Sequence, residues 1–74
     1  MFNRRWYYFT LHFKAPKHPD LHSVSVRFET NRMGMNRINN IKAGEMANGL
    51  PVDAELVGLI HHGRMTELQW EKEI

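Results

Sequence analysis

The hydrophobic period of the chain changes along its length, and each change marks an element. From Arg5 to Lys14 the positions alternate. Tyr7, Phe9, Leu11 and Phe13 fall on one face, and Trp6, Tyr8, Thr10, His12 and Lys14 on the other. A period of two with aromatic enrichment predicts a β-strand, because successive side chains of a strand point to opposite sides. Ala15-Pro16-Lys17-His18-Pro19-Asp20 follows, and its prolines bar helix and ladder pairing alike, so it reads as a loop. His22 to Thr30 alternates again, with Val24, Val26 and Phe28 against Ser23, Ser25, Arg27 and Glu29. That is a half-buried strand, expected to form a hairpin with the first.

After Thr30 the period lengthens. Met35, Ile38, Ile41, Lys42 and Met46 lie within one broad stripe at 3.6 residues per turn, which predicts a helix. Thr30 or Asn31 can cap its start. Its end is marked by Asn48-Gly49-Leu50-Pro51: the glycine can take a left-handed conformation, Leu50 can fold back onto the last turn, and Pro51 blocks continuation. Gly34 and Gly44 each cost about 1 kcal/mol relative to alanine. The helix is therefore expected to depend on tertiary packing, and to start late or break near Gly44.

Glu55 to His62 is short and apolar, with Leu56, Val57, Gly58, Leu59 and Ile60 in succession. This predicts a third strand, buried on both faces over part of its length. His61-His62-Gly63 is expected to turn the chain out. Two helix-start devices then coincide. Thr66 and Gln69 have the spacing of a capping box, and Met65 and Trp70 that of a hydrophobic staple. With Glu67 in the first turn, a C-terminal helix of about two turns is expected.

The element order is β-β-α-β-α in a single domain spanning residues 1–74. The fold class is α+β: a three-stranded, mostly antiparallel sheet packed on one main helix, with a short helix at the end. The first strand is the most apolar and is placed in the middle, with the third antiparallel to it. A crossover from the second strand through the helix to the third is expected to be right-handed. Tyr7, Phe9, Leu11 and Phe13 are assigned to the core beneath the main helix.

Composition narrows the picture only in places. A chain of 74 residues has a thin core. The absence of cysteine rules out disulfides and thiolate metal sites and fits a reducing, cytoplasmic setting. No apolar run approaches the length of a membrane helix, so no membrane partner is expected. The opening MFNRRWYYFT lacks the apolar segment and cleavage site of a signal peptide. Net charge is +2 but uneven. Residues 1–50 carry eight Lys/Arg against three acids, and residues 51–74 carry two against five. Such an asymmetry can attract an anionic partner or be self-complementary within the fold, and the second needs no function.

Catalytic patterns are lacking. Five histidines (His12, His18, His22, His61, His62) invite a metal hypothesis, but His61 and His62 point to opposite faces of a strand, His18 lies between prolines, and no carboxylate cluster joins them. Ser23 and Ser25 alternate with valines as an outer strand face does, and nothing resembles a nucleophile elbow, a phosphate loop or a catalytic carboxylate pair. No enzyme activity, cofactor, metal or small-molecule substrate is expected. The face bearing Trp6, Tyr8, His12, Lys14 and Arg27 is the candidate binding surface. Exposed aromatics and arginine anchor protein interfaces, and open sheet edges accept a second copy or a partner strand. The same rings and charges suit single-stranded nucleic acid, with the polar, basic helix segment around Arg32 and Arg37 as a further phosphate contact. A third outcome is that the helix carrying Trp70 covers Trp6 and Tyr8 and makes them core.

The hairpin, the helix end Ala47-Asn48-Gly49-Leu50-Pro51, the strand start Asp53-Ala54-Glu55-Leu56-Val57 and the closing Gly63-Arg64-Met65-Thr66-Glu67-Leu68-Gln69-Trp70 resemble small uncharacterised proteins of bacteriophages, prophages and plasmids. In those a Gly-x-Met-Thr-Glu segment followed by acids and an aromatic often ends the chain. The resemblance covers residues 43–71 and carries over no functional residue. It implies a mobile-element accessory protein in a bacterial cytoplasm, acting through a protein partner or, alternatively, nucleic acid.

Overall fold

The computed structural model describes residues 4–73. Its elements run β1 (Arg5–Lys14), β2 (His22–Phe28), α1 (Met35–Ala47), β3 (Glu55–Thr66) and α2 (Glu67–Glu73). The order is β-β-α-β-α, and the three strands form one antiparallel sheet in the order β2-β1-β3. The most apolar strand is central, as its pattern predicts: a middle strand has neighbours on both edges and buries the most side-chain surface.

Register carries the sequence alternation across the sheet. Leu11 opposes Val24 and Leu59, and Phe9 opposes Val26 and His61. On this face Phe9, Leu11 and Phe13 are buried with Ala15, Leu50 and Ala54, and Tyr7, Val24, Val26, Phe28, Ile38 and Ile41 pack around them. α1 supplies this cover from the β2 side. Glu45 on the helix accepts a hydrogen bond from His22 at 2.7 Å, and the Arg37 guanidinium lies 4.2 Å from the centre of the Phe28 ring. No residue of α1 is itself buried, so the helix is held by one edge of its stripe rather than sunk into the sheet.

The helix ends as predicted and starts late, one of the two outcomes expected from its glycines, and it runs through Gly44 without a break. At its C-terminus Gly49 adopts φ +113°, the Leu50 N–H reaches the Glu45 carbonyl at 3.0 Å and the Gly49 N–H reaches Met46 at 3.2 Å. Leu50 then folds into the core. At the N-terminus neither Thr30 nor Asn31 caps. The start falls at Gly34, with no side-chain hydrogen bond to the free N–H groups. The Arg37 side chain instead reaches back to the Arg32 carbonyl at 2.7 Å, tying the preceding loop to the first turn.

β3 corrects two expectations. It does not turn out at His61-His62-Gly63 but continues to Thr66. Gly63 takes φ +95°, and a register shift beside it absorbs one extra residue, so the chain bulges and stays in the sheet. Nor is β3 buried on both faces. Val57, Leu59 and Ile60 are 56%, 43% and 47% exposed. The apolar run reads like an inner strand, but in a three-stranded sheet with β1 in the middle its place is at the edge.

Candidate functional site

The second face of the sheet divides into two halves, one covered by α2 and one open. The capping box that starts α2 is formed: the Thr66 N–H donates to Gln69 Oε1 at 2.8 Å, and the Gln69 N–H donates to Thr66 Oγ1 at 3.1 Å. This fixed start aims Trp70 at the sheet. Its ring stacks on Tyr8 with centroids 4.6 Å apart and planes 11° apart, and His62 meets it edge-on at 4.8 Å.

Tyr8 is consequently buried, at 3% exposure, and offers no ring face to a partner. That removes it from the candidate surface. Its Oη is buried without a hydrogen-bond partner among the described residues. Arg27 is raised above its ordinary pKa, first by the Tyr8 hydroxyl and then by the Glu67 carboxylate. Arg27 also forms an ion pair with Glu67 at 3.5 Å, one link between the basic body and the acidic end of the chain. Trp6 is half-buried and flanked by two cations, Arg4 at 4.3 Å and Arg27 at 4.6 Å from its ring. Arg4 in turn pairs with Glu29. Trp6 and Arg27 are thus together, but each is already engaged within the chain.

Farther along β1 the face is open and polar. The Thr10 hydroxyl is shared between Ser25 Oγ at 3.0 Å and His62 Nε2 at 2.6 Å, and His12 Nδ1 bonds Ser23 Oγ at 2.6 Å. Gly58 sits across from His12, and a Cβ there would come within 3.2 Å of the imidazole. Lys14 is exposed at the strand end, apart from Trp6 and Arg27. The five predicted site residues therefore do not form one surface. Trp6 and Arg27 lie beside α2, Tyr8 lies under it, and His12 and Lys14 lie at the other end. The Ser23–His12 contact is a serine beside a base, but among the described residues no carboxylate bonds the other imidazole nitrogen, so the orienting member of a nucleophilic triad is not supplied.

The concavities follow this layout. One, 590 Å³, is an open hollow between Arg5, Trp6 and the first turn of α2. A second, 400 Å³, lies between β2 and α2 with Arg27 and Glu67 on its rim. A third, 210 Å³, sits at the far end of the sheet beside Phe13, Leu21 and Leu50, below the roughly 300 Å³ at which ligand pockets usually begin.

Three exposed apolar side chains, Val57, Leu59 and Ile60, lie close together on β3. Leu59 stands on the α1 side of the sheet and Ile60 on the other, so apolar side chains emerge on both sides of one strand. His61, next along, stacks on Phe9 at 4.7 Å instead of being covered by the helix. Among the described residues no strand pairs with the outer edge of β3. The aromatic-rich β1 drew attention away from this region. The signal for it was topological: a β-β-α-β order with the first strand in the middle places the third at an edge. Among the described residues no helix is long and apolar enough to cross a membrane. The chain matches no protein-family model, no curated protein and no solved structure.

Proposed function

We propose that the protein is a non-catalytic binding module that engages a protein partner along β3. The observation that carries this reading is the twelve-residue edge strand whose Val57, Leu59 and Ile60 remain exposed on both sides of the sheet. A free strand edge presents unpaired N–H and C=O groups to a partner backbone, and apolar side chains on either side supply the burial that makes such pairing stable. The other edge, β2, alternates Ser23, Ser25 and Arg27 with its core-facing residues and lies against α1, so it offers less apolar area. The accessory role implied by the resemblance of residues 43–71 to phage and plasmid proteins is compatible with a small module of this kind.

Nucleic-acid binding is the second reading, and Trp6 beside Arg4 and Arg27 is what favours it. It is the weaker of the two because Tyr8 is covered by Trp70 and Trp6 is flanked by its own arginines, leaving few free ring faces for bases.

Site-specific photo-crosslinking separates the readings. A crosslinking residue at Ile60 is expected to form a protein adduct in cells, whereas one at Ser23 on the opposite edge is expected to form little. Adducts from Ser23 alone, or from neither site, contradict the β3 reading. Salt-sensitive binding of a single-stranded oligonucleotide that Arg27→Ala weakens would favour the second reading.

A further inference from the structure

We infer that α2 is a removable cap over a single-stranded nucleic-acid site, in which Trp70 stands where a base would stack and Glu67 where a phosphate would pair. The site lies on the sheet face that α2 partly covers, so the inference goes beyond the β3 reading and does not depend on it.

The cap is what divides this face. Trp6, Tyr8, Thr10, His12 and Lys14 share one side of β1, and the register sets Arg27 beside Tyr8, Ser25 beside Thr10 and Ser23 beside His12. Trp6, with the Arg27 guanidinium against it, lies to one side of Trp70. His12 and Lys14 lie to the other, and Tyr8 lies beneath. Lifting the seven residues of α2 joins them into one strip of rings, hydroxyls and cations along the central strand. Such a strip suits unpaired bases and their phosphates.

What α2 lays on the strip has the chemistry of that ligand. The Trp70 ring lies nearly parallel to Tyr8, with planes 11° and centroids 4.6 Å apart, the offset stack that a base makes on an aromatic platform. The Glu67 carboxylate meets the Arg27 guanidinium at 3.5 Å, the partner that a phosphate would seek. The sequence of α2 has three glutamates against one lysine, and it rests on a face where Arg4 and Arg27 flank Trp6.

The cap is weakly held. A helix of seven residues does not persist without packing. Its ion pair joins two exposed side chains, and such pairs contribute little. Leu68 is exposed, which leaves Trp70, against Tyr8 and His62, as the anchor. The closed form also leaves the Tyr8 Oη buried without a hydrogen-bond partner among the described residues, a cost that opening removes. Nucleic acid and α2 compete for the same ring and the same guanidinium. The apparent affinity is then set by the fraction of chains with α2 lifted.

Fluorescence anisotropy of a labelled oligothymidylate of about twelve nucleotides tests this on the full chain. The wild type is expected to bind weakly and Trp70→Ala about tenfold more tightly. Trp70→Ala combined with Arg27→Ala is expected to lose the gain. Thr66→Ala removes a cap bond and leaves Trp6, Tyr8 and Arg27 unchanged, so it should shift affinity the same way by a smaller factor. That variant decides the matter if Trp70→Ala fails to fold by circular dichroism. Amide exchange reads the displacement itself: the oligonucleotide bound to the wild type should speed exchange in α2. Affinity that neither variant raises, a gain that survives Arg27→Ala, or α2 amides that become better protected would each overturn the inference. So would an opened chain that binds a synthetic peptide of the α2 sequence more tightly than the oligonucleotide, because the occupant would then be a protein segment. The crosslink at Ile60 decides the β3 reading separately.

Discussion

Thr66 shows how much one side chain can organise. Its hydroxyl and the Gln69 amide satisfy one another's backbone N–H groups, α2 begins at a defined residue, and Trp70 lands on Tyr8. Thr66→Ala removes one of the two cap bonds and is expected to cost about 1 kcal/mol, read as a lowered Tm. A variant as stable as the wild type would mean that α2 is not held by its cap. Trp70→Ala is expected to uncover Tyr8, increasing its accessibility to a chemical modifier of tyrosine, while Tyr7 on the opposite face changes little. The capping spacing was legible in the sequence because it is local, four residues long and chemically specific. The fate of Tyr8 was open between two outcomes, since it depended on where Trp70 would arrive. The two arginines around Trp6 were not legible: Arg4 is two residues away, but Arg27 reaches Trp6 only through the β1–β2 register.

Among the elements, β1 and the end of α1 were read closely because their signals are internal. Leu11 is fully buried at the middle of the central strand, and Leu11→Ala is expected to cost about 2–5 kcal/mol, enough in a domain this small to leave it largely unfolded by circular dichroism. Gly49 holds a left-handed φ with nothing near a would-be Cβ, so Gly49→Ala meets no clash and isolates the backbone term. It is expected to cost about 1–2 kcal/mol in thermal unfolding. The late start of α1 was legible in its glycines, but the caps offered by Thr30 and Asn31 go unused, because Arg37 ties down the loop that holds them. β3 was misjudged for a different reason. A run of apolar residues says that a strand wants cover, and it does not say whether the chain's own layers supply it. Here α1 lies toward β2 and α2 covers the Tyr8 end, and Leu59 and Ile60 receive neither.

At the scale of the molecule, the three layers are uneven. One face of the sheet is core over β1 and β2, the other is half covered by seven residues of α2, and the β3 edge remains apolar and open. The basic body and acidic end meet at Arg27–Glu67.

Amide hydrogen exchange tests the open β3 edge most directly, because it reads the backbone groups that a partner would occupy. The prediction is that, in the isolated chain, the amides of β3 that are not bonded to β1 exchange much faster than the amides of β1, which is paired on both sides. Protection along β3 as uniform as that of β1 would contradict it.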